Sequence, residues 1–338
     1  MKSAVLTKKR QFEFIEENIP KITHPDDVLV KVAYVSICAD DLIFFNQEHV
    51  DISPHAMCHE FSGIIVALGQ EAERAGFSVG DRVSGYPWLF CGKCPNCRSG
   101  KENLCINLNT SQGCTKEYIL LKDRQIYQLP DSVSLVAGSM TELVATGLHG
   151  FDRAHFTPGK SVLILGGGGA GLTLLQLALI YGGCKVTVSE PLSAKRSLAQ
   201  KFGAEFVINP SEENLFLRSM QITQDLGYDL IVDATGKTQT LNGSVGLLAR
   251  GGTLLVFSFH YLEKPFLVDL SELYYKECSI CTSYNAPYML PKACELLKRL
   301  QMETLVGKIF PFSQIQQAFE IANHGYYPRV VFQVAEDL

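Results

Sequence analysis

Between Val162 and Leu179 the hydrophobic pattern of the chain changes its period, and this change predicts a strand followed by a helix. Val162–Leu165 is a short apolar run that ends at glycine and is only long enough for a buried strand. After a glycine-rich turn, apolar residues recur at a spacing typical of one helix face. They are Leu172, Leu174, Leu175, Leu177, Ala178 and Leu179. We therefore expect a strand, a tight turn and a helix.

The glycines of this turn match a nucleotide-binding pattern. Gly166, Gly168 and Gly171 occupy the positions of G-x-G-x-x-G, with Gly169 and Ala170 between them. The first glycine permits the turn, the second lets the backbone approach a pyrophosphate, and the third lets the helix pack on the strand. The phosphates would bind the free N–H groups at the helix N-terminus. A flexible turn is the alternative, because four consecutive glycines can match the pattern by chance.

An acid at the end of the next strand favours nucleotide binding. Lys185–Ser189 is a second predicted strand, and Glu190 follows it about twenty residues after the glycines. An acid at this point can accept hydrogen bonds from both ribose hydroxyls of an adenosine, and its charge would repel a 2′-phosphate. The sequence therefore predicts NAD rather than NADP as the cofactor.

Strand and helix patterns continue to alternate after Glu190, and they predict a six-stranded parallel sheet. Further strands are predicted near 205–208, 229–233, 253–257 and 278–281. Helical patterns cover 193–202 and 238–248. Towards the C-terminus, helices over 290–300 and 312–322 precede a last strand over 329–334.

The N-terminal part places three possible metal ligands at the ends of predicted elements. A strand over 28–37 ends at Cys38, and Cys58, His59 and Glu60 precede another strand. The thiolate of Cys38, the imidazole of His59 and the carboxylate of Glu60 could bind zinc and leave one coordination position open. Each residue alone is more often structural, so this prediction depends on the remaining motifs.

Four cysteines in a polar loop give the most specific signal in the sequence. Cys91, Cys94, Cys97 and Cys105 have the spacing C-x₂-C-x₂-C-x₇-C. Four thiolates at this spacing can surround one metal ion tetrahedrally, which predicts a structural zinc site. An iron–sulfur cluster is the alternative, but no other cluster motif accompanies these cysteines. Because all ligands would come from the protein, this zinc would stiffen the loop and not bind substrate.

Composition restricts the class of protein. The chain has 338 residues, which favours two domains, and its 46% hydrophobic and 19% charged residues are typical of globular proteins. A net charge of −5, without runs of like charge, argues against nucleic acid or an anionic membrane as the main partner. The sequence has neither a signal peptide nor a long apolar run, so we expect a cytoplasmic protein. Eleven cysteines then favour metal ligands and buried thiols over disulfides.

In type and order, these motifs resemble the zinc-dependent medium-chain dehydrogenase/reductase superfamily of alcohol, sorbitol and threonine dehydrogenases. Cys38–Asp41 is similar to its C-G-[ST]-D motif, Cys58–Glu60 to G-H-E, and Gly80–Val83 to G-D-R-V. Residues 140–149 resemble a segment of polyol dehydrogenases, which are the closest members in pattern. The resemblance covers nearly the whole chain.

The resemblance implies a fold, further site residues and an assembly. The α/β fold would combine a GroES-like, mostly-β catalytic domain over 1–144 with a Rossmann domain, a doubly wound parallel sheet, over 145–283. Residues 284–338 would return into the catalytic domain. Glu142 would be a further zinc ligand, or one that exchanges with Glu60, and Ala234 and Thr235 would lie beside NAD. Two zinc ions per chain and a homodimer or homotetramer are implied.

Three residues depart from the superfamily pattern. Asp40 replaces the serine or threonine that usually accepts the hydroxyl proton, Ile43 replaces a relay histidine, and Cys58 replaces a glycine. Asp40 is therefore a candidate base or substrate anchor. The predicted catalytic residues are Cys38, Asp40, His59, Glu60 and Glu142.

The carboxylates near the predicted zinc also bear on the substrate. Asp40, Glu60 and Glu142 favour a polar substrate that donates hydrogen bonds. We therefore expect hydride transfer between NAD and a secondary hydroxyl of a polyol, sugar alcohol or cyclitol. An amino alcohol, either threonine-like or an aminocyclitol, is an alternative because Asp40 could pair with an ammonium group. A sugar-alcohol phosphate and a non-catalytic role also stay open.

Overall fold

The residues of the computed structural model separate into two units. The structure describes residues 1–47, 55–109, 113–258 and 265–337. Residues 1–145 and 286–338 form the first unit, and residues 146–285 form the second. Within the described ranges, no helix is long and apolar enough to cross a membrane.

Strands and helices of the described residues are numbered here in chain order. The strands are β1 (Lys2–Lys8), β2 (Gln11–Glu16), β3 (Asp27–Ser36), β4 (His55–Ala56), β5 (Glu60–Leu68), β6 (Arg82–Gly85), β7 (Tyr118–Lys122), β8 (Ile126–Gln128), β9 (Ser161–Leu165), β10 (Cys184–Ser189), β11 (Phe206–Ile208), β12 (Tyr228–Asp233), β13 (Leu248–Val256), β14 (Ser279–Thr282), β15 (Val306–Pro311) and β16 (Arg329–Gln333). The helices are α1 (Ala39–Asn46), α2 (Gln70–Arg74), α3 (Pro95–Arg98), α4 (Leu135–Gly138), α5 (Thr141–Arg153), α6 (Gly169–Ile180), α7 (Ser193–Lys201), α8 (Leu215–Thr223), α9 (Thr238–Leu241), α10 (Leu270–Lys276), α11 (Leu290–Leu296) and α12 (Ile315–Asn323).

The second unit is built on a six-stranded sheet in the order β11-β10-β9-β12-β13-β14. Each of these neighbouring pairs is parallel. The chain runs outwards from β9 to β11 and then returns to β12 on the other side of β9, so the direction reverses between β9 and β12. Doubly wound sheets bind their ligands at the carboxyl ends of the strands at such a reversal. The predicted parallel sheet and fold class are confirmed.

One predicted helix in this unit is wrong in its second half. The pattern over 238–248 predicts one helix, but α9 ends at Leu241 and a short 3₁₀ turn, Ser244–Leu247, leads into β13. Gly243 between them has a φ of +81°. Glycine adopts this left-handed conformation readily, and it ends the helical hydrogen-bond ladder.

The first unit contains a sheet that joins distant parts of the chain. Its strand order is β15-β16-β3-β5-β6-β8, and β7 also pairs with β3. Ser36 of β3 is opposite Glu60 of β5 and opposite Val331 of β16. Cys38, Glu60 and Arg329 therefore lie at the same end of the sheet, because each is within two residues of this register point.

Large apolar side chains hold this unit together. Phe45, Phe61 and Phe319 are completely buried in one hydrophobic cluster. The ring centroids of Phe45, from α1, and Phe319, from α12, are 5.2 Å apart. Burial of each such side chain contributes about 1.5–3 kcal/mol to stability. This packing fixes α1, whose first residue follows Cys38.

Candidate metal centres and cofactor loop

The structure brings the four loop cysteines together. The sulfur atoms of Cys91, Cys94, Cys97 and Cys105 all lie within 4.8 Å of one another. The Cys94 sulfur is 3.5 Å from that of Cys97 and 4.0 Å from that of Cys105. Zinc–sulfur bonds of about 2.3 Å in a tetrahedron place sulfurs about 3.8 Å apart. The spacing of these sulfur atoms therefore fits a single tetrahedral ion.

Backbone N–H groups favour the thiolate forms of Cys91 and Cys94. The N–H of Cys94 donates to the Cys91 sulfur, and that of Cys91 donates to the Cys105 sulfur, each at 3.3 Å. Backbone N–H donors, first that of Lys93, lower the pKa of Cys91 to about 6. A thiolate is the form of cysteine that binds a metal. The backbone around Cys91 and Cys94 is thus already arranged for ligand thiolates, whereas burial raises the pKa of Cys97 to about 12.

Apolar packing contributes little to this loop. The buried residues of its small cluster are Cys94, Cys97 and Cys105, with Phe90 and Leu108 packed against them. Backbone hydrogen bonds of 2.9 and 3.0 Å between Leu89 and Asn109 close the loop at its base. A cluster this small buries little apolar surface, so an ion held by the four sulfurs would supply much of the stability of the loop.

A second group of ligand atoms lies at the end of the first unit's sheet. Cys38, His59 and Glu60 each offer one ligand atom, and these atoms lie within 4.8 Å of one another. Cys38 follows β3 and caps α1, whereas Glu60 begins β5. Cys58, directly before His59, has a φ of +63°, which suits the glycine usual in the superfamily at this position.

The carboxylate oxygens of Glu60 in this second group have no hydrogen-bond donor, which suits a metal ligand. Glu60 is completely buried, and neither of its carboxylate oxygens accepts a hydrogen bond. Arg329 Nη1 lies 3.2 Å from Glu60 Oε1, so the pair is electrostatic without hydrogen-bond geometry. Buried carboxylates are costly unless they are paired or bind a metal. A thiol, an imidazole and a carboxylate are zinc ligands, and three protein ligands leave a position open. The donor set therefore fits zinc.

Asp41 is a member of this site whose role the sequence did not reveal. Its Oδ2 accepts a hydrogen bond of 2.8 Å from the Cys38 N–H, and its Oδ1 lies 3.8 Å from His59 Nδ1. Burial raises the pKa of Asp41 to about 6. A carboxylate beside one imidazole nitrogen orients the ring so that the other nitrogen can bind metal. The available signal was its capping-box spacing, three residues after the cap Cys38.

Asp40 and Glu142 lie outside the group of three ligands. Asp40 is exposed on the first turn of α1, yet its charge contributes to the raised pKa values of Cys38 and Glu142. Glu142, in the first turn of α5, is buried, and this burial raises its pKa to about 7. Both carboxyl groups are thus within electrostatic range of the ligands.

The glycine turn has the geometry that its pattern requires. Gly166 has a φ of +100°, and a Cβ atom on Gly171 would lie 1.9 Å from the Gly166 carbonyl oxygen. A Cβ atom on Gly168, the N-cap of α6, would meet nothing within 4 Å. Two glycines are therefore needed for the turn, and the third leaves open space at the start of α6, where Gly169 and Ala170 begin the helix.

The predicted nucleotide residues lie side by side at the ends of three strands. Leu165 of β9 pairs with Ser189 of β10 and with Asp233 of β12. Gly166, Glu190 and Ala234 directly follow these three residues. A Cβ atom on Gly166 would lie 2.9 Å from the Thr235 methyl group, so the Ala234–Thr235 turn contacts the glycine turn.

Glu190 is anchored to the glycine turn. It is 6% exposed, and its Oε2 accepts a hydrogen bond of 2.7 Å from the Gly167 N–H. Its Oε1 accepts one of 2.9 Å from the Leu192 N–H. Each carboxylate oxygen has a second lone pair that remains able to accept a ribose hydroxyl. The negative charge is held beside the turn before a nucleotide binds.

Comparisons with known proteins identify the family. Residues 24–131 match the alcohol dehydrogenase GroES-like domain, and residues 169–299 match the zinc-binding dehydrogenase family. Sorbitol dehydrogenase of Bacillus subtilis is 29% identical, with 95% of this chain and 93% of the relative covered. Among solved structures, galactitol-1-phosphate dehydrogenase from Escherichia coli has a TM-score of 0.90 and 28% identity, with 98% of this chain and 99% of that chain covered.

A third similar protein has been solved with a cofactor. The structure from Sinorhizobium meliloti 1021, bound to NADP, has a TM-score of 0.91 and 26% identity, and covers 98% of this chain and 99% of that chain. Both matched families, and the similarity to these proteins over nearly the whole chain, agree with the motifs above. The chain therefore belongs to the zinc-dependent medium-chain dehydrogenase/reductase superfamily and is an oxidoreductase similar to its polyol dehydrogenases.

Proposed function

We propose that the protein transfers hydride between NAD and a secondary hydroxyl of a polyol, sugar alcohol or cyclitol, with zinc at the site of Cys38, His59 and Glu60. The observation that carries the proposal is the group of the partly buried Cys38 thiol, the His59 imidazole and the buried Glu60 carboxylate, in which neither Glu60 oxygen has a hydrogen-bond donor. When bound, zinc supplies the positive charge that lowers the pKa of an alcohol hydroxyl, and NAD accepts the hydride.

Neighbouring residues orient the proposed zinc ligands and balance their charge. Asp41 lies 3.8 Å from Nδ1 of His59, so Nε2 would be the nitrogen that binds zinc. Arg329 beside Glu60 offsets part of the negative charge of the site. Glu142 would serve as a further ligand or exchange with Glu60, and burial raises its pKa to about 7.

The carboxyl groups around the ligands favour a substrate with several hydroxyl groups. Asp40 offers a hydrogen-bond acceptor within electrostatic range of Cys38 and His59, and Glu142 offers one within range of His59. An alcohol with a single hydroxyl would use only the metal, whereas a polyol has neighbouring hydroxyls that donate to these carboxylates. The similar sorbitol and galactitol-1-phosphate dehydrogenases act on alcohols of this class. We keep an amino alcohol and a sugar-alcohol phosphate as the alternatives to test.

We propose NAD as the cofactor because of Glu190. Its charge, held by the Gly167 and Leu192 N–H groups, lies where the adenosine ribose would bind and would repel a 2′-phosphate. A similar solved structure is bound to NADP, so similarity of fold alone does not decide between the two cofactors. The choice in this chain therefore depends on its own residues, with Glu190 as the first candidate.

The experiment for this function measures NADH formation over a panel of polyols, amino alcohols and sugar-alcohol phosphates, together with metal content. We expect oxidation of polyols by a protein with two zinc ions per chain, one at the four loop cysteines and one at Cys38, His59 and Glu60. The non-catalytic alternative predicts the same zinc content and no turnover with any substrate. Preference for an amino alcohol or a phosphate would contradict the polyol assignment while leaving the reaction type intact.

We also propose that the protein is a cytoplasmic homo-oligomer, a dimer or tetramer. The cysteines that would hold zinc must stay reduced, which suits the cytosol. In the second unit, β14 is an edge strand with Ile280 38% exposed. Tyr274 and Tyr275 of α10, at 79% and 74% exposed, add apolar surface. Light scattering on the purified protein, compared with Ile280→Lys, tests this proposal, since a charge should block edge pairing.

A further inference from the structure

The single tryptophan of the sequence lies beside the candidate catalytic group. Trp88 is the only tryptophan among the 338 residues. Its ring centroid is 5.0 Å from that of His59, and the two ring planes form an angle of 33°. The side chain is partly buried, so part of the indole remains accessible to solvent.

Neighbouring residues hold the indole in place. Tyr86 stacks on Trp88 with ring centroids 6.0 Å apart and an angle of 8° between the planes. The Tyr86 hydroxyl donates to the Ala286 carbonyl at 3.3 Å. The side-chain amide of Gln125 donates to the carbonyls of both Tyr86 and Trp88 at 3.0 Å. The ring is therefore positioned before a substrate binds, which reduces the entropy lost on binding.

The same aromatic pair lies close to the carboxylates of the site. Burial, and then the charge of Glu142, raises the pKa of Tyr86 well above its usual range. Asp41 Oδ1 lies 3.8 Å from Nδ1 of His59, whose ring contacts Trp88. The surroundings thus combine hydrogen-bond acceptors with an apolar aromatic surface.

This combination suits the two kinds of surface on a polyol. A polyol carries hydroxyl groups, which need hydrogen-bond partners, and C–H groups, which are apolar. C–H groups pack well on the face of an aromatic ring through dispersion and the negative charge of the ring face. We infer that Trp88 determines substrate specificity by packing against the C–H groups of the polyol. The hydroxyl groups of the polyol would bind zinc, held by Cys38, His59 and Glu60, and the neighbouring carboxylates. The inference rests on the proposed function and adds the residue that recognises the carbon skeleton.

The kinetic test uses the zinc-loaded full-length enzyme with saturating NAD and with xylitol or sorbitol as substrate. We expect Trp88→Ala to raise KM for both polyols about tenfold and to change kcat much less, because the ring contributes to binding and not to chemistry. Trp88→Phe keeps an aromatic face and should recover most of the affinity. Tyr326→Ala, which removes an aromatic ring that is 68% exposed in the same unit, is the matched control and should change nothing.

A second measurement does not depend on turnover. Trp88 is the only source of tryptophan emission, so its fluorescence reports directly on contacts of this ring. In the enzyme with saturating NADH, where polyol is not oxidised, xylitol should change the emission, and the same titration of Tyr326→Ala should give the same curve. A merely structural role for Trp88 would leave the emission unchanged.

The outcomes separate the inference from the proposed function. Oxidation of polyols by the unmodified enzyme together with an unchanged KM in Trp88→Ala overturns the role of Trp88 alone. If Trp88→Ala no longer binds zinc or cofactor, the kinetics of Trp88→Phe and the emission titration of the unmodified enzyme test the inference instead. Tryptophan emission that does not change at saturating xylitol overturns the inference. Failure of the unmodified enzyme to oxidise any polyol contradicts the proposed function itself.

Discussion

Arg329 and Glu60 form a buried ion pair between the last strand of the chain and the first residue of β5. Arg329 Nη1 lies 3.2 Å from Glu60 Oε1, and the side chains are 5% and 0% exposed. The guanidinium is held in place by a hydrogen bond of 2.9 Å from Nη1 to the Ile37 carbonyl. Glu60 therefore has a cationic neighbour even before a metal binds.

This pair predicts that loss of Arg329 will matter most when the metal is absent. Arg329→Met leaves the Glu60 charge buried without a partner, which typically costs about 3–5 kcal/mol. Bound zinc would compensate the negative charge of Glu60, so the loss of unfolding free energy should be smaller in the zinc-loaded protein. Urea unfolding with zinc and after chelation measures both values. The double variant with Glu60→Gln should recover much of the apo stability, and equal losses in both forms would contradict this account.

The two candidate metal centres should respond differently to loss of a ligand. Cys94→Ser should lower the zinc content by about one ion per chain and reduce stability, because a closed site contributes folding energy directly. His59→Ala should also lose zinc but leave a folded protein that binds NAD and cannot turn over. Metal analysis, thermal unfolding and NAD titration distinguish the two variants. Identical behaviour would show that the division into a structural and a catalytic centre is wrong.

Glu190 should determine the choice between NAD and NADP. Because its charge opposes a 2′-phosphate, the unmodified protein should bind NAD far more tightly than NADP. Glu190→Ala should narrow this difference, mainly by improving NADP binding. Calorimetric titration with both cofactors measures the ratio. Equal affinities in the unmodified protein would refute the assignment of NAD.

Asp40 and Asp41 are adjacent in sequence but should act differently. Asp40 is exposed within electrostatic range of the ligands, so Asp40→Asn should mainly raise KM for polyols if it anchors substrate. A fall in kcat of about 10²- to 10⁴-fold at unchanged KM would instead identify Asp40 as the general base. Asp41→Asn alters the partner of His59 and should weaken zinc binding about 10–100-fold. Steady-state kinetics and zinc titration of both variants give the comparison.

A buried ion pair away from the candidate sites predicts a pH-dependent stability term. Burial alone would raise the pKa of Asp27, but hydrogen bonds from Lys122, Thr23 and His24 lower it to about 2. A lowered folded-state pKa stabilises the protein above the unfolded value of about 3.9, and this contribution is lost as the pH falls towards 2. Asp27→Asn should therefore cost about 2 kcal/mol at pH ~6 and progressively less below pH ~4.

Urea unfolding of the unmodified protein and Asp27→Asn across this pH range measures the difference. Asp123→Asn is a suitable control, because its carboxylate contacts the N–H of Arg124 and is more exposed. A difference between Asp27→Asn and the unmodified protein that stays constant down to pH ~3 would contradict the role of the Asp27 charge.

The sequence by itself determined the parts of this protein whose residues lie close along the chain. The glycine turn could be predicted because its requirements are local: Gly166 needs a φ of +100°, and Gly171 has no room for a Cβ atom. The cysteine spacing could be interpreted in the same way, since four thiols within one short loop can meet without help from the rest of the fold. The alternation of strands and helices also predicted the parallel sheet.

Only the tertiary structure decided which distant side chains lie beside the candidate ligands Cys38, His59 and Glu60. Arg329 reaches Glu60 because β16 and β5 both pair with β3 near Ser36, and this register depends on burial summed over whole strands. Trp88 meets His59 for a similar reason, through a loop that carries no local signal. The different positions of Asp40 and Asp41 follow from the start of α1 at Ala39. Asp41, the third helical residue, accepts a hydrogen bond from the Cys38 N–H, whereas Asp40, the second, is exposed.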